Sequence, residues 1–282
     1  MSTFKGKRVL ITGGASGIGK LMGEMALEKG AAVLVIWDIN QDSIESVVRE
    51  LGQKAKDQGR AGRVYGMRVD VSNQPMVADR YAQTKQEVGE IDILINSAGI
   101  ITSNKTFDQC TADEINRTMM VNAMAPMYVT QQVLPDMVAR DSGHICNIGS
   151  AGGMIANPRM SIYAASKWAT IGWSDSVRIE LREMRSRVRV TTIAPYYITT
   201  GMFDGVRSKI FPLLRPENVA SRILHAIERE KSFKMFMPWI PCPHHFIRLL
   251  QGILPIRVFD WLVGRVLGIY HTMDHFTGRK KN

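Results

Sequence analysis

The chain has 282 residues, 45% of them hydrophobic, and a net charge of +10. That length and apolar share support one large core in one expected domain, and the absence of repeats and of low-complexity linkers excludes a solenoid or a tethered multidomain chain. The basic excess comes without a nucleic-acid motif, and three widely spaced cysteines, Cys110, Cys146 and Cys242, suit reduced thiols of a cytosolic protein better than disulfides or a metal site.

Seven residues precede the first predicted strand, too few and too polar to be read as a signal peptide or an anchor, so neither is expected. Strands are predicted near 8–11, 32–37, 63–69, 91–95, 143–148 and 188–193, with a last one near 233–237 and helical patterns between them. Strands alternating with helices predict an α/β fold, a Rossmann-type doubly wound parallel sheet covered on both faces. The expected boundaries are the sheet-forming domain over 1–237, which holds the motifs described next, and a basic amphipathic extension over 238–282.

After the first strand comes Thr12-Gly13-Gly14-Ala15-Ser16-Gly17-Ile18-Gly19, leading into a helix. Glycines at 13, 17 and 19 let the backbone turn tightly beside a pyrophosphate, while the helix N-terminus offers free N–H groups to the phosphates. Ser16 and Ile18 belong to the same turn. The second strand ends in Asp38, placed to accept hydrogen bonds from an adenosine ribose and to repel a 2′-phosphate, which predicts NAD over NADP.

Further along, Ser150 ends an apolar run, and Tyr163 and Lys167 follow one helical turn apart. A tyrosine hydroxyl ionises near pH ~10 and needs a nearby cation to act as a base, so the pair reads as a proton-transfer device. Ser150 does not fit the elbow of a hydrolase nucleophile, and the nearest histidine, His144, lies on its own strand. The segment 196–215 carries Tyr196, Tyr197, Met202, Phe203, Ile210 and Phe211 and is expected to form a mobile apolar lid, against the plainer reading of a packed loop.

In their order, these motifs resemble the short-chain dehydrogenase/reductase family over roughly residues 5 to 230. Asn96-Ser97-Ala98-Gly99 stands where that family usually has Asn-Asn-Ala-Gly, Asp70-Val71 matches the pair that lies against adenine, Asn122 the helix asparagine and Ser150 the catalytic serine. Pro195 stands where that family has the proline of a Pro-Gly before the nicotinamide-contacting residues, and Ile198 and Thr200 match positions that meet the carboxamide, although Tyr196 replaces the usual glycine. The branch acting on hydroxysteroids, retinol and other lipophilic alcohols tends to lack that glycine too.

The resemblance implies a catalytic set of Asn122, Ser150, Tyr163 and Lys167. It implies cofactor contacts from Gly13, Ser16, Gly17, Ile18, Gly19, Asp38, Asp70, Val71, Asn96, Ala98, Gly99, Tyr163, Lys167, Pro195, Ile198 and Thr200. Met154, Met160, Tyr196, Met202 and Phe203 are the candidate substrate contacts, and no metal is expected. Tyr163 would exchange a proton with the substrate oxygen, Ser150 would orient that oxygen, and Asn122 would keep a water beside Lys167. The implied activity is interconversion of an alcohol and a carbonyl on a lipophilic small molecule, in a homodimer or homotetramer. A 3-oxoacyl thioester reductase, or a non-catalytic NAD-binding scaffold at a membrane, are the alternatives.

The last fifty-two residues hold eight Lys and Arg against Asp260 and Asp274, a net of +6. Within them, 256–271 is patterned as an amphipathic helix whose apolar face includes Phe259, Leu262, Val263 and Leu267. Charges interrupt it too often for a transmembrane span. It is read first as an interfacial helix on anionic lipid, with a subunit contact or closure over the protein's own pocket as the other readings. His244-His245, after Pro241-Cys242-Pro243, lacks a carboxylate at ligand spacing and reads as a turn entering a helix. The many methionines read as adaptable core and pocket lining.

Overall fold

The computed structural model describes residues 3–236 and 243–278. Cys242, the end of the predicted last strand at 237 and the basic residues 279–281 lie outside the described residues, and only the backbone of His244 and His245 is described.

Seven strands form one all-parallel sheet in the order β3-β2-β1-β4-β5-β6-β7. They are β1 (Arg8–Thr12), β2 (Val33–Asp38), β3 (Arg63–Arg68), β4 (Ile93–Asn96), β5 (His144–Ile148), β6 (Arg189–Pro195) and β7 (Phe233–Phe236). Each lies within two residues of its predicted position. The central strands are buried on both faces, which is why they read as unbroken apolar runs rather than alternating ones.

Helices α1 (Gly17–Glu28), α2 (Gln41–Asp57), α3 (Gln74–Val88), α4 (Ala112–Met119), α5 (Ala125–Ala139), α6 (Ser161–Glu183) and α7 (Pro216–Glu228) connect the strands. Their starts carry local signals: Asn40 accepts from Ser43 N, Asn73 accepts from Met76 N, and Thr111 and Glu114 form a reciprocal capping box. Two cores result, one on each face of the sheet: Val9, Ile11, Leu34 and Ile36 meet α1 and α7, while Leu10, Val35, Leu94 and Ile145 meet α3, α5 and α6. The strand order reverses between β1 and β4, and the crevice at the carboxyl ends of these strands is where such sheets bind ligands.

Beyond β7 come α8 (Pro243–Ile253) and α9 (Ile256–Asp260), which continues as a π-turn over Trp261–Val266. The single helix predicted over 256–271 is therefore interrupted, because Gly268 adopts φ +65° and a separate short turn, Ile269–His271, follows. Phe259, Val263, Ile269 and Met273 are buried in a third apolar cluster with Tyr163, Tyr196, Tyr197 and Phe211. Of the three readings of this extension, closure over the protein's own pocket describes its inner face. Phe259 and Val263 belong to that face, not to a lipid-facing one.

Candidate active site

The glycine turn leaves β1 and doubles back against two neighbours. Gly13 donates to Trp37 O at 2.7 Å and adopts φ +65°, and a Cβ there would sit 2.9 Å from Ala98 Cα, so only glycine fits between the turn and the end of β4. Thr12 Oγ1 accepts from Ser97 N at 3.1 Å and Ala98 N at 3.2 Å, locking the 96–99 segment beside the turn. Asp38 binds the turn itself: Oδ2 accepts from Ala15 N at 3.1 Å and Oδ1 from Ile39 N at 2.8 Å. The carboxylate thus stands at the end of β2 beside the start of α1, with Ser16 at that helix boundary.

A cavity of roughly 960 Å³, open to solvent, runs from this turn towards the C-terminal extension. Ile18, Gly99 and Thr200 border it at the turn, Pro195 and Ile198 on the β6 side, and Ser150, Tyr163 and Lys167 on the wall between. Met160, Tyr196, Met202 and Phe203 line its apolar end. Gly17 faces Thr200, whose Cβ would lie 3.7 Å from a Cβ at 17, so the loop after β6 reaches back across the groove.

Ser150 Oγ accepts from Gly152 N at 3.1 Å and stands beside the Tyr163 hydroxyl, which burial pushes up to about 12 while its interaction with the serine hydroxyl pulls it partly back. Lys167 is 5% exposed; burial pushes its ammonium down to about 8, so it stays mostly charged at neutral pH. It donates to Ile148 O at 2.9 Å and lies 5.8 Å from the centre of the Tyr163 ring. Phe203 meets the other side of Tyr163 edge-on, with centroids 5.8 Å apart.

Asn122 lies behind this wall, in a π-turn (Met120–Met124) between α4 and α5. Proline at 126 supplies no N–H to the carbonyl four residues back, so the Asn122 carbonyl is released from the helix and accepts from Thr170 Oγ1 at 2.8 Å. Its carboxamide grips the backbone of Ile100 twice, at 2.8 and 2.9 Å, and donates to Ser166 Oγ at 3.1 Å. A Cβ on Gly99 would lie 3.4 Å from Asn122 Oδ1 and 3.6 Å from Lys167 Nζ, so both side chains pack against Gly99.

Several of the expected residues are held by neighbours within the protein. The Asn96 side chain turns into the core, donating to Thr130 Oγ1 at 3.1 Å and Asn147 Oδ1 at 2.8 Å, and ties β4 to β5 and α5 instead of facing the cavity. Met154 is buried beside the cavity, and its carbonyl accepts from Gln251 Nε2 at 2.8 Å. Asp70 folds back on Ser72 at the end of β3 while Val71 packs into the core. His144 opens β5, about 20 Å of extended chain from Ser150, and pairs with Thr191 Oγ1 at 2.8 Å; burial lowers it to about 4. Among the described residues no hydrogen bond joins Ser150 to a histidine.

The 196–215 segment is packed: Tyr196, Tyr197, Ile198, Val206 and Phe211 are all buried. Sequence reasoning missed what packs it. Asn157 Nδ2 donates to Tyr197 Oη at 2.8 Å and Thr272 Oγ1 at 3.1 Å, Arg207 N donates to Thr272 O at 3.1 Å, and Thr277 N donates to Asp204 O at 2.8 Å. Gly205, at φ +83°, lies so close to the His275 carbonyl that a Cβ would collide with it. These partners are 40 to 115 residues apart in the chain, beyond the reach of any local pattern. The released carbonyl at 122 did have a signal, an Asn followed four residues later by Pro.

A family model described as short chain dehydrogenase matches residues 7–210. The chain is 37% identical over 280 residues to the epidermal retinol dehydrogenase 2 of Mus musculus, covering 98% of this chain and 87% of that protein. It is 33% identical over 254 residues to the estradiol 17-beta-dehydrogenase 11 of Homo sapiens, covering 89% and 80%. A solved short chain dehydrogenase/reductase from Burkholderia phymatum, in complex with NAD, shares the fold at a TM-score of 0.77 with 24% identity, over 89% of this chain and 95% of that one. With its glycine turn, its parallel sheet and these relatives, the chain belongs to the short-chain dehydrogenase family and is an oxidoreductase that uses a nicotinamide cofactor.

Proposed function

We propose that this protein is an NAD-linked dehydrogenase that interconverts an alcohol and a carbonyl on a lipophilic small molecule, of the hydroxysteroid, retinol or long-chain alcohol class. The observation that carries the reading is the cavity wall, where two hydroxyls and one cation converge at the polar end of an otherwise apolar chamber. Relatives named as retinol and estradiol dehydrogenases support the substrate class.

The residues suit a dinucleotide. Gly13 leaves room where a side chain would fill the turn, the N-terminus of α1 points at the groove, and Asp38 presents a carboxylate at the end of β2. That carboxylate favours a ribose diol over a 2′-phosphate, hence NAD. When bound, the cofactor supplies the hydride acceptor or donor.

Proton handling belongs to the chain. Tyr163 Oη, protonated in the resting protein, gives its proton to the substrate oxygen during reduction and takes it back during oxidation. The phenolate left when Tyr163 gives up its proton in reduction, which is also the form that accepts the alcohol proton in oxidation, is stabilised by the Lys167 ammonium and by the Ser150 hydroxyl, which also directs the substrate oxygen. Asn122 acts as a positioning residue, holding Ile100 and the Gly99 segment in front of Lys167. Met160, Met202 and Phe203 exclude water from the reacting end.

The test is direct: purified protein with NAD or NADP is given retinol, hydroxysteroids and long-chain alcohols, and formation of reduced cofactor is followed by absorbance. Turnover of at least one with NAD is expected. Preference for short hydrophilic alcohols, or for NADP, overturns the corresponding half of the reading.

A further inference from the structure

Seven of the twelve most exposed large apolar side chains among the described residues lie between positions 246 and 266. They are Phe246, Leu249, Ile253, Ile256, Val258 and Trp261, each at least 45% exposed, and Val266 at 44%. Such concentration is not ordinary scatter. On α8 the pattern is two-sided: Ile247, Leu250 and Leu254 pack inward against the cluster around the cavity, while Phe246, Leu249 and Ile253, at i, i+3 and i+7, point outward. A helix apolar on both faces is one that is covered on both faces. The inner cover is the pocket.

Charge selects the outer cover. Arg248, Arg257 and Arg265 are exposed on the same stretch, and its acid, Asp260, accepts from Tyr270 Oη at 2.7 Å. The net of +6 over the last fifty-two residues adds to this. Apolar side chains flanked by arginines, with an exposed tryptophan between them, match the boundary between acyl chains and anionic headgroups, where each nearby cation adds to the attraction. Among the described residues no helix is long and apolar enough to cross a membrane. The arrangement suits lying on one leaflet.

We propose that the outer face of 246–266, led by Phe246, Leu249, Ile253, Ile256 and Trp261, docks on an anionic lipid bilayer and turns the extension's pocket-lining side towards the enzyme. The docking rests on the surface alone; its purpose, passing a lipophilic substrate from the leaflet to the cavity, rests on the function proposed above.

The experiment is co-sedimentation of the full-length protein with phosphatidylcholine vesicles, with and without phosphatidylserine, read without turnover. Wild-type protein is expected to pellet with the anionic vesicles and to be released as salt is raised roughly tenfold. Ile253→Asp/Ile256→Asp is expected to weaken binding on the order of 100-fold, and Arg257→Glu/Arg265→Glu on the order of tenfold or more. Phe107→Asp, which changes an exposed apolar residue far along the chain, should pellet like wild type. All three variants should keep the wild-type melting temperature, which separates docking from misfolding. Equal pelleting of wild type and the Ile253→Asp/Ile256→Asp variant overturns the proposal. So does a wild-type protein that ignores vesicles but forms a dimer which this variant dissociates, since the cover is then a second copy. Vesicle binding without turnover of any lipophilic alcohol would leave the docking standing and sink the function.

Discussion

The two ends of the cavity are built by different means. At the cofactor end the parts come from short stretches: the glycine turn follows β1, Asp38 ends β2, and Thr12 holds the segment after β4. At the substrate end Tyr197 is held by Asn157 and Thr272, and the loop after β6 rests on a tail more than sixty residues further along. The first end is specified by backbone geometry that few residues satisfy; the second is apolar packing that many residues satisfy. Changes at the first should therefore act sharply and on one step. Those at the second should act more gently, on affinity and selectivity.

The largest effect is expected on the wall between the two ends. Tyr163→Phe removes the transferable proton and should cut turnover by on the order of 10²–10⁴-fold, with NAD affinity by fluorescence titration nearly unchanged. A variant as active as wild type would remove Tyr163 from the chemistry. Next comes Asp38→Ser, which keeps an acceptor for Ala15 N but takes the charge away from the cofactor end. The ratio of NADPH to NADH use should rise on the order of 10- to 100-fold, the size of a screened unit-charge repulsion. An unchanged ratio would place cofactor choice elsewhere.

Lys167 makes a thermodynamic test. Its ammonium is pushed from 10.5 to about 8 by burial, so between those values the unfolded chain binds more protons than the folded one. Stability should accordingly rise with pH across that window and be flat, in this contribution, below about 8. Between roughly pH 7.5 and 9.5 the rise should be about 2 kcal/mol relative to Lys167→Met, read from urea denaturation of both proteins. Parallel curves would mean that the lysine is not buried as a cation. The gentlest change is Gly205→Ala, where a Cβ meets the His275 carbonyl and pushes the tail off the loop. KM for a bulky substrate should rise roughly tenfold, about 1.4 kcal/mol, with a smaller effect on kcat. An equal loss with a short-chain ketone would show that the damage is global.

Much of the architecture was legible before any coordinates. Runs such as Val33 to Trp37 are apolar without alternation because the sheet covers both of their faces, and that pattern marks the central strands. Asp38 was legible because it ends such a run a fixed distance after a glycine turn. Asn96 was legible as the end of a strand beside the glycine turn, but a motif gives a residue's position and not the direction of its side chain, which turns into the core. Met154 was misread for a similar reason: an apolar residue near a pocket and one lining it have the same composition. At 256–271 the periodic pattern promised one helix with a lipid-facing stripe. Phe259 and Val263, however, are claimed by the core, and the outward face belongs to Ile253, Ile256 and Trp261.

By itself the sequence determined the parallel sheet, the family, the glycine turn and the Tyr163–Lys167 spacing, because each depends on local backbone geometry or on one helical turn. Only the tertiary structure decided which face of the extension is buried, what ties down the loop after β6, and that Asn122 and Lys167 both pack against Gly99. Those outcomes depend on contacts between residues far apart in the chain. An apolar pattern states that a side chain will be covered; the packing of the whole molecule chooses the cover.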